Sequence, residues 1–364
     1  MEFMCSAYRG CLLGLAIGDA MGCAVDSKSW EEIREVYGPN GLLGYDLQTG
    51  DYAEASSYTQ IAAFLCNGLL LSVSRGRTAH LRFGKLALQE WARSQQFYRD
   101  PEESLCWIGR LPQLRRRNCR DARMLNKLHL NACGTMDAPE NDSNTPGAIT
   151  AAVAVGMFYN PKRMAAERIG TLAGELIALT HGNPEAFLSG VVLAYTIAGI
   201  LQEPDCPLQE QFLQAIAVMD GQFGSRFSQA ECLARRLRGA IALANSGTVS
   251  PQEGMEQLTC LDAAECLSGA MFACLTCPED FDRAMITAVN HSGLSAAVGA
   301  VTGGILGAKL TAEGLPEFYL ESLEVRNALE ILAEDMVSAT PTAGIFDDSW
   351  DHKYVQGLPP EGVN

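Results

Sequence analysis

The sequence predicts an all-α protein, and three observations support this fold class. Apolar residues recur at helical spacing through most of the 364 residues, whereas the alternating pattern of a half-buried strand is nearly absent. Hydrophobic residues make up 48% of the chain, which is enough to bury a large core. Glycines also recur every fourth residue in two separate segments, and this spacing places each set on one face of a helix.

The two glycine segments predict the first helix and a helix near the end of the chain. Glycine inside a helix costs roughly 1 kcal/mol relative to alanine, so a regular ladder of glycines needs a packing reason. We therefore expect both helices to lie in the core, with their backbones close to another helix or to each other. The ladder residues are Gly10, Gly14, Gly18, Gly22, Gly299, Gly303 and Gly307.

Further helices are expected between and after these segments. A stripe from Leu320 to Met336 predicts one late helix with Pro316 near its start, where proline is tolerated. Turn-forming residues predict loops at 38–57 and 133–147 and an irregular end at 340–364. We expect one compact domain over residues 1–338 and a C-terminal tail over 339–364. Apolar periodicity predicts helices at 59–74, 147–159, 163–180, 184–202, 208–219, 228–247, 262–276, 279–290 and 295–308.

Charge and cysteine content restrict the classes of partner and compartment. The net charge of -16 disfavours binding to nucleic acid and to anionic membrane surfaces. The 13 cysteines are scattered and odd in number, which favours a reducing cytoplasm. A compact chain without a targeting signal suits a bacterium. The basic run Arg115–Arg117 with Arg120 leaves two interpretations open, a solvated helix face or a phosphate contact.

Five separated motifs, in order, resemble the ADP-ribosylglycohydrolase family, whose members include dinitrogenase reductase-activating glycohydrolase. The first is the glycine segment Gly10–Gly22, and the others follow over roughly residues 5–335. The resemblance implies an orthogonal helical bundle with a cleft that holds two magnesium ions and ADP-ribose. The remaining four motifs are Asn144–Gly156, Leu179–Ala186, Ala288–Asn290 with Gly293, and Leu315–Leu320.

Both magnesium-binding motifs of the family are broken in this chain. The first family motif, Thr-Asp-Asp-Thr, is replaced here by the segment 56–59, so its aspartates become Ser57 and Tyr58. The late Gly-Gly-Asp-x-Asp-Thr motif is replaced by the segment 292–297, and its aspartates become Leu294 and Ala296. Magnesium prefers oxygen ligands, chiefly carboxylates. We therefore expect no magnesium pair and no other cofactor, which makes this chain a divergent family member.

The resemblance also carries over a set of candidate site residues. Asp19 is retained, and Asp26 stands where the family has a glutamate, so both are candidate general acids or bases. The family's arginine after the Asn-Gly segment is missing near Ile149 and Thr150. His181 lies either near the nucleotide or at a helix start with local hydrogen bonds only. The candidate ligand-binding residues are Ser56, Ser57, Tyr58, Asn144, Gly147, His181, Ser292, Gly293 and Ser295.

Three functions remain open from the sequence. The first is a pseudoenzyme that still binds ADP-ribose or a related nucleotide. The second is a metal-independent glycosidic hydrolase that uses Asp26 or Asp19. The third alternative is a helical protein that binds an unknown protein partner and has a filled cleft. The polar residues at 56–58 favour an open cleft, whereas Leu294 and Ala296 favour a filled one.

Overall fold

A computed structural model describes residues 2–47, 50–75, 79–96, 100–161, 164–338 and 348–363. Within these ranges the chain is built from 17 helices without a strand, as the periodicity predicted. The helices are α1 (Glu2–Cys23), α2 (Trp30–Tyr37), α3 (Ser57–Arg75), α4 (His80–Gln96), α5 (Ala122–His129), α6 (Ala151–Phe158), α7 (Glu167–Ala178), α8 (Pro184–Gln202), α9 (Leu208–Phe223), α10 (Gln229–Ser246), α11 (Pro251–Leu258), α12 (Ala263–Thr276), α13 (Phe281–Val289), α14 (Ser295–Leu310), α15 (Glu317–Glu321), α16 (Arg326–Ser338) and α17 (Asp348–Tyr354).

The two glycine ladders face each other, so the expectation of two closely packed core helices is confirmed. Helices α1 and α14 run antiparallel, and Gly14 and Gly18 of α1 lie against Gly303 and Gly299 of α14. A Cβ atom on Gly18 would lie 1.9 Å from the carbonyl oxygen of Gly299. Real Cβ atoms do not approach this closely, so the two helices touch backbone to backbone.

The centre of the domain surrounds this pair. Helix α8 is buried along almost its whole length and packs against α6, α7 and α9, while α12 and α13 cover α14. Helix α8 is the one described helix long and apolar enough to cross a membrane, but 83% of its apolar window is buried inside the fold. Such burial is what the core helix of a globular domain shows.

The late helix expected between Pro316 and Met336 is divided in two, so this expectation was wrong. Helix α15 ends at Glu321, and α16 begins at Arg326. Between them, the backbone of Leu323 forms an isolated parallel bridge with Ala53. The amide of Ala53 donates to the carbonyl of Ser322 at 2.7 Å, and the amide of Glu324 donates to the carbonyl of Ala53 at 3.3 Å. These contacts satisfy the backbone groups that a continuous helix would have paired internally.

The described part of the C-terminal tail, residues 348–363, packs on the domain. The expected irregular segment contains α17, which buries Trp350 and Tyr354, so that expectation was wrong for residues 348–354. The Lys353 ammonium donates to Asp335 Oδ1 at 2.7 Å, and the Tyr354 hydroxyl donates to Asp335 Oδ2 at 2.6 Å. Residues 339–347 of the expected tail lie outside the described part of the chain.

Candidate ligand-binding cleft

A cleft of about 680 Å³ opens where several chain segments meet at helix starts. One wall comes from the end of α1 and the turn after it, and another from the starts of α3 and α14. The segment 118–124 and the loop 143–147 form the remaining walls. A volume in this range suits a small-molecule ligand.

Asp19 does not line this cleft but caps the first turn of α3. Its side chain is fully buried, and its carboxylate accepts the backbone amides of Ser56 and Thr59 at 3.0 Å each. The hydroxyl of Thr59 donates to Asp19 Oδ2 at 2.5 Å, and the hydroxyl of Ser56 donates to Oδ1. Burial raises the pKa of Asp19, although these four hydrogen bonds oppose the rise. The geometry therefore assigns Asp19 to holding α3 in place.

Asp26 lines the cleft beside the start of α14. Its Oδ1 accepts the backbone amide of Ala296 at 3.0 Å. Burial raises the pKa of this carboxyl, while the amide of Ala296 and the nearby Arg120 lower it. Of the two candidate acids or bases, Asp26 is the one that a ligand in the cleft can reach.

All four positions that hold aspartates in the magnesium-binding motifs of the family line this one cleft. Ser57 and Tyr58 provide hydroxyl groups, whereas Leu294 and Ala296 provide no donor atom. Among the described residues, no group of three histidine, cysteine, aspartate or glutamate side chains is arranged to hold a metal ion. Because magnesium requires several well-placed oxygen ligands, the residues present do not fit a magnesium pair.

The segment 118–124 is held against the domain by buried amide side chains. Gln95 Oε1 accepts the backbone amides of Asn118 and Cys119 at 3.1 and 3.2 Å, and Gln60 Nε2 donates to the carbonyl of Arg116 at 3.1 Å. The side-chain amide Nδ2 of Asn118 in turn donates to the carbonyl of Ala55 at 2.8 Å. This network fixes the backbone that carries Arg120 and Arg123 into the cleft wall.

Asp121 connects the same segment to His181, which lies behind the cleft. The His181 ring is fully buried, and its Nε2 lies 3.0 Å from the Thr145 hydroxyl and 3.6 Å from Asp121 Oδ2. Burial raises the pKa of Asp121, but hydrogen bonds from His181, Met124 and Thr145 outweigh it and lower the value to about 2. His181 therefore supports the residues of the wall and does not itself line the cleft.

The other sequence-predicted residues divide between the cleft and its surroundings. Four polar or flexible candidates line it, and four lie outside the lining. Those in the lining are Ser56, Ser57, Tyr58 and Gly147. Outside it, Asn144 is exposed near Asp262, Ser292 accepts the amide of Trp30, Gly293 packs on Thr259 and Cys260, and Ser295 is fully buried at the first position of α14.

Sequence reasoning missed Asp121 and Arg123, and it left Arg120 undecided. The structure places Asp121 at the N-cap of α5, where its Oδ1 accepts the amide of Met124 at 2.9 Å. An aspartate before a helix is a known capping signal, but α5 is short and was not predicted. The sequence did indicate a possible binding role for Arg120, since a phosphate contact was one of the two interpretations of its basic run.

Comparisons with known proteins agree with this all-α fold. The ADP-ribosylglycohydrolase family model matches residues 3–345, so the chain belongs to the ADP-ribosylglycohydrolase family. An uncharacterized protein from Archaeoglobus fulgidus is 26% identical over 338 residues, which span 90% of this chain and 94% of that protein. A solved structure described as an ADP-ribosylglycohydrolase-related protein complex aligns with a TM-score of 0.62 and 20% identity, covering 93% of this chain and 99% of the other. This likeness confirms the predicted fold class.

Proposed function

We propose that this family member lacks magnesium-dependent hydrolase activity and keeps its cleft for binding ADP-ribose or a related nucleotide. The observation that carries the proposal is the composition of the cleft wall. The four aspartate positions of the family line a single open cleft as Ser57, Tyr58, Leu294 and Ala296. The cleft thus keeps its place in the fold while its carboxylate ligands are replaced.

The volume of the cleft argues for a binding function and against a filled site. Leu294 and Ala296 are small enough, in this geometry, to leave about 680 Å³ open. The hydroxyls of Ser57 and Tyr58 and the backbone at Gly147 offer hydrogen-bonding partners to a ligand. A helical scaffold with a filled cleft would leave no such space, so this alternative is the weakest of the three.

The missing carboxylates argue against the family's reaction. A two-metal site polarises the bond to be cleaved and activates water. Neither a hydroxyl nor an aliphatic side chain supplies that Lewis acidity. General base catalysis alone contributes about 10²- to 10⁴-fold, well below the 10⁶-fold or more of typical enzymes. We expect release of ADP-ribose from ADP-ribosylated arginine or serine to be absent or very slow.

A metal-independent hydrolase is the second candidate, and one observation favours it. Asp26 reaches the cleft, where a carboxyl can act as a general acid or base, and burial raises its pKa. Its hydrogen bond from Ala296 also gives it a structural role at the start of α14. The two roles are separable, because an asparagine at this position keeps an acceptor for the amide but not the proton-transfer group.

Calorimetric titration with ADP-ribose, run beside a release assay on ADP-ribosylated protein, tests the proposal. We expect saturable binding and no release above background, both for the wild-type chain and for Asp26→Asn. A ligand at 100 times its dissociation constant also stabilises the fold by about 2.7 kcal/mol, which thermal unfolding detects independently.

Two results would contradict the proposal in different ways. Robust release that Asp26→Asn abolishes would establish the metal-independent hydrolase. The absence of any heat or stabilisation with ADP-ribose, ADP and AMP would remove the nucleotide-binding function and favour a partner-binding protein.

A further inference from the structure

We propose that Arg120 and Arg123 form an anion-binding subsite that takes the phosphoryl groups of the ligand. This inference rests on the proposed function, since it specifies which wall of the same cleft binds the charged part of a nucleotide. Both arginines line the cleft and are exposed to solvent. They are the only cationic side chains of the lining within the described part of the chain.

Each of the three carboxylates of the lining, Asp26, Glu54 and Asp121, has a hydrogen bond or an ion pair with a residue other than these two arginines. Asp26 accepts the amide of Ala296 at 3.0 Å. Asp121 accepts the amide of Met124 at 2.9 Å and lies 3.6 Å from His181 Nε2. Glu54 lies 3.4 Å from the guanidinium of Arg116, which is outside the lining.

By contrast, the side chains of Arg120 and Arg123 form no hydrogen bond or ion pair with any residue that the structure describes. The guanidinium of Arg120 is attracted to the carboxylate of Asp26 and lowers its pKa. An arginine guanidinium presents a planar fork of donors that matches the oxygens of a phosphate. Two unpaired guanidinium groups in one cleft therefore point to a ligand that carries at least one phosphoryl group.

The replaced metal ligands strengthen this inference. Four carboxylates beside the arginines would pair with them and repel a phosphate, but Ser57, Tyr58, Leu294 and Ala296 carry no charge. The start of α3 and the start of α14 also border the cleft, and helix starts favour negative charge nearby.

The backbone that carries the two arginines is held in place by hydrogen bonds from other parts of the fold. The backbone that precedes Arg120 is held by Gln95 through the amides of Asn118 and Cys119. Arg123 lies in the first turn of α5, which Asp121 caps. The side chains thus extend from a fixed segment and need little ordering of the backbone when a ligand binds.

Inorganic pyrophosphate and ADP-ribose, titrated by calorimetry, are the probes for this subsite. The variants are Arg120→Gln, Arg123→Gln and the double substitution, and the matched control is Arg117→Gln. Arg117 belongs to the same basic run and is exposed, but it does not line the cleft. Because all three positions are exposed, the thermal midpoints of the variants should match that of the wild-type chain.

We expect each cleft variant to weaken both probes about fivefold and the double variant about 25-fold, whereas Arg117→Gln leaves both affinities unchanged. The affinity of the wild-type chain should fall as salt is added, and that of the double variant should fall less. If pyrophosphate binds and ADP-ribose does not, the anion-binding subsite is supported and the proposed function is refuted.

Two outcomes would overturn the subsite while leaving the proposed function intact. One is ADP-ribose binding that the double variant does not weaken. The other is an equal loss in Arg117→Gln, which would mean that the basic run as a whole, and not this cleft, attracts the anion. Absence of binding for both probes would overturn the subsite and the proposed function together.

Discussion

Replacing Gly18 by alanine tests how tightly α1 and α14 pack. The new Cβ would lie 1.9 Å from the Gly299 carbonyl oxygen and 2.4 Å from its carbonyl carbon. Both atoms are backbone, so no side chain can rotate away, and the helices must separate by roughly 1 Å or more to restore van der Waals distance. Overpacking costs typically about 1–3 kcal/mol, and backbone contact places this site at or above the upper end.

Alanine also gains about 1 kcal/mol of helix propensity over glycine, which partly offsets the clash. We therefore expect Gly18→Ala to lower the free energy of unfolding by about 2 kcal/mol and the thermal midpoint by roughly 3 °C. The matched control is Gly239→Ala in α10, because a Cβ there meets no atom within 4 Å. That variant should gain stability through propensity alone.

Thermal and urea unfolding of the two variants, read by circular dichroism, measure the effect. The free energy of unfolding should fall in Gly18→Ala and rise in Gly239→Ala, which separates the effect of close packing from that of helix propensity. A Gly18→Ala protein as stable as the wild-type chain, or stabilised like the control, would refute the backbone contact between α1 and α14.

Three further predictions concern buried polar groups. Asp19→Asn should destabilise the fold by about 1–3 kcal/mol in urea unfolding, because an amide cannot accept the four hydrogen bonds at the start of α3, and unchanged stability would contradict the capping role. Burial lowers the pKa of His291 from 6.5 to about 4. The free energy of unfolding should therefore fall by about 3 kcal/mol as the pH falls from 6.5 toward 4, because the unfolded chain binds the proton more tightly. The variant His291→Asn should remove this pH dependence. Lys353→Met should cost about 3 kcal/mol by removing the cation beside the buried Asp335 carboxylate, whereas the double variant Lys353→Met with Asp335→Leu should recover most of that loss, and equal losses would contradict the pairing.

The fold could be predicted where the sequence carries a regular physical signal. The ladder from Gly10 to Gly22 predicted a tight helix contact because repeated glycine in a helix is costly without one. The sequence could not show that its partner is the ladder from Gly299 to Gly307, since the spacing is equally compatible with packing against any other helix. The stripe from Leu320 to Met336 predicted one helix, because the spacing of apolar residues carries no information about the backbone bridge between Leu323 and Ala53.

The candidate site was predictable in part for the same reasons. The replaced aspartates could be located at Ser57, Tyr58, Leu294 and Ala296 by motif register, and these positions do line one cleft. Motif register did not distinguish residues that line the cleft from residues one layer behind it. His181 lies behind the wall, and the packing of α8 and the loop before it decides this through contacts distant in sequence.

Titration of the metal-free chain with magnesium tests the central claim most directly, namely that this cleft does not hold the magnesium pair of its family. The account predicts no site-specific heat in calorimetry, because no carboxylate stands at the four aspartate positions. Asp26→Asn serves as the control, since it removes the cleft carboxylate that accepts the amide of Ala296. Saturable magnesium binding in the micromolar range that Asp26→Asn abolishes would contradict the claim.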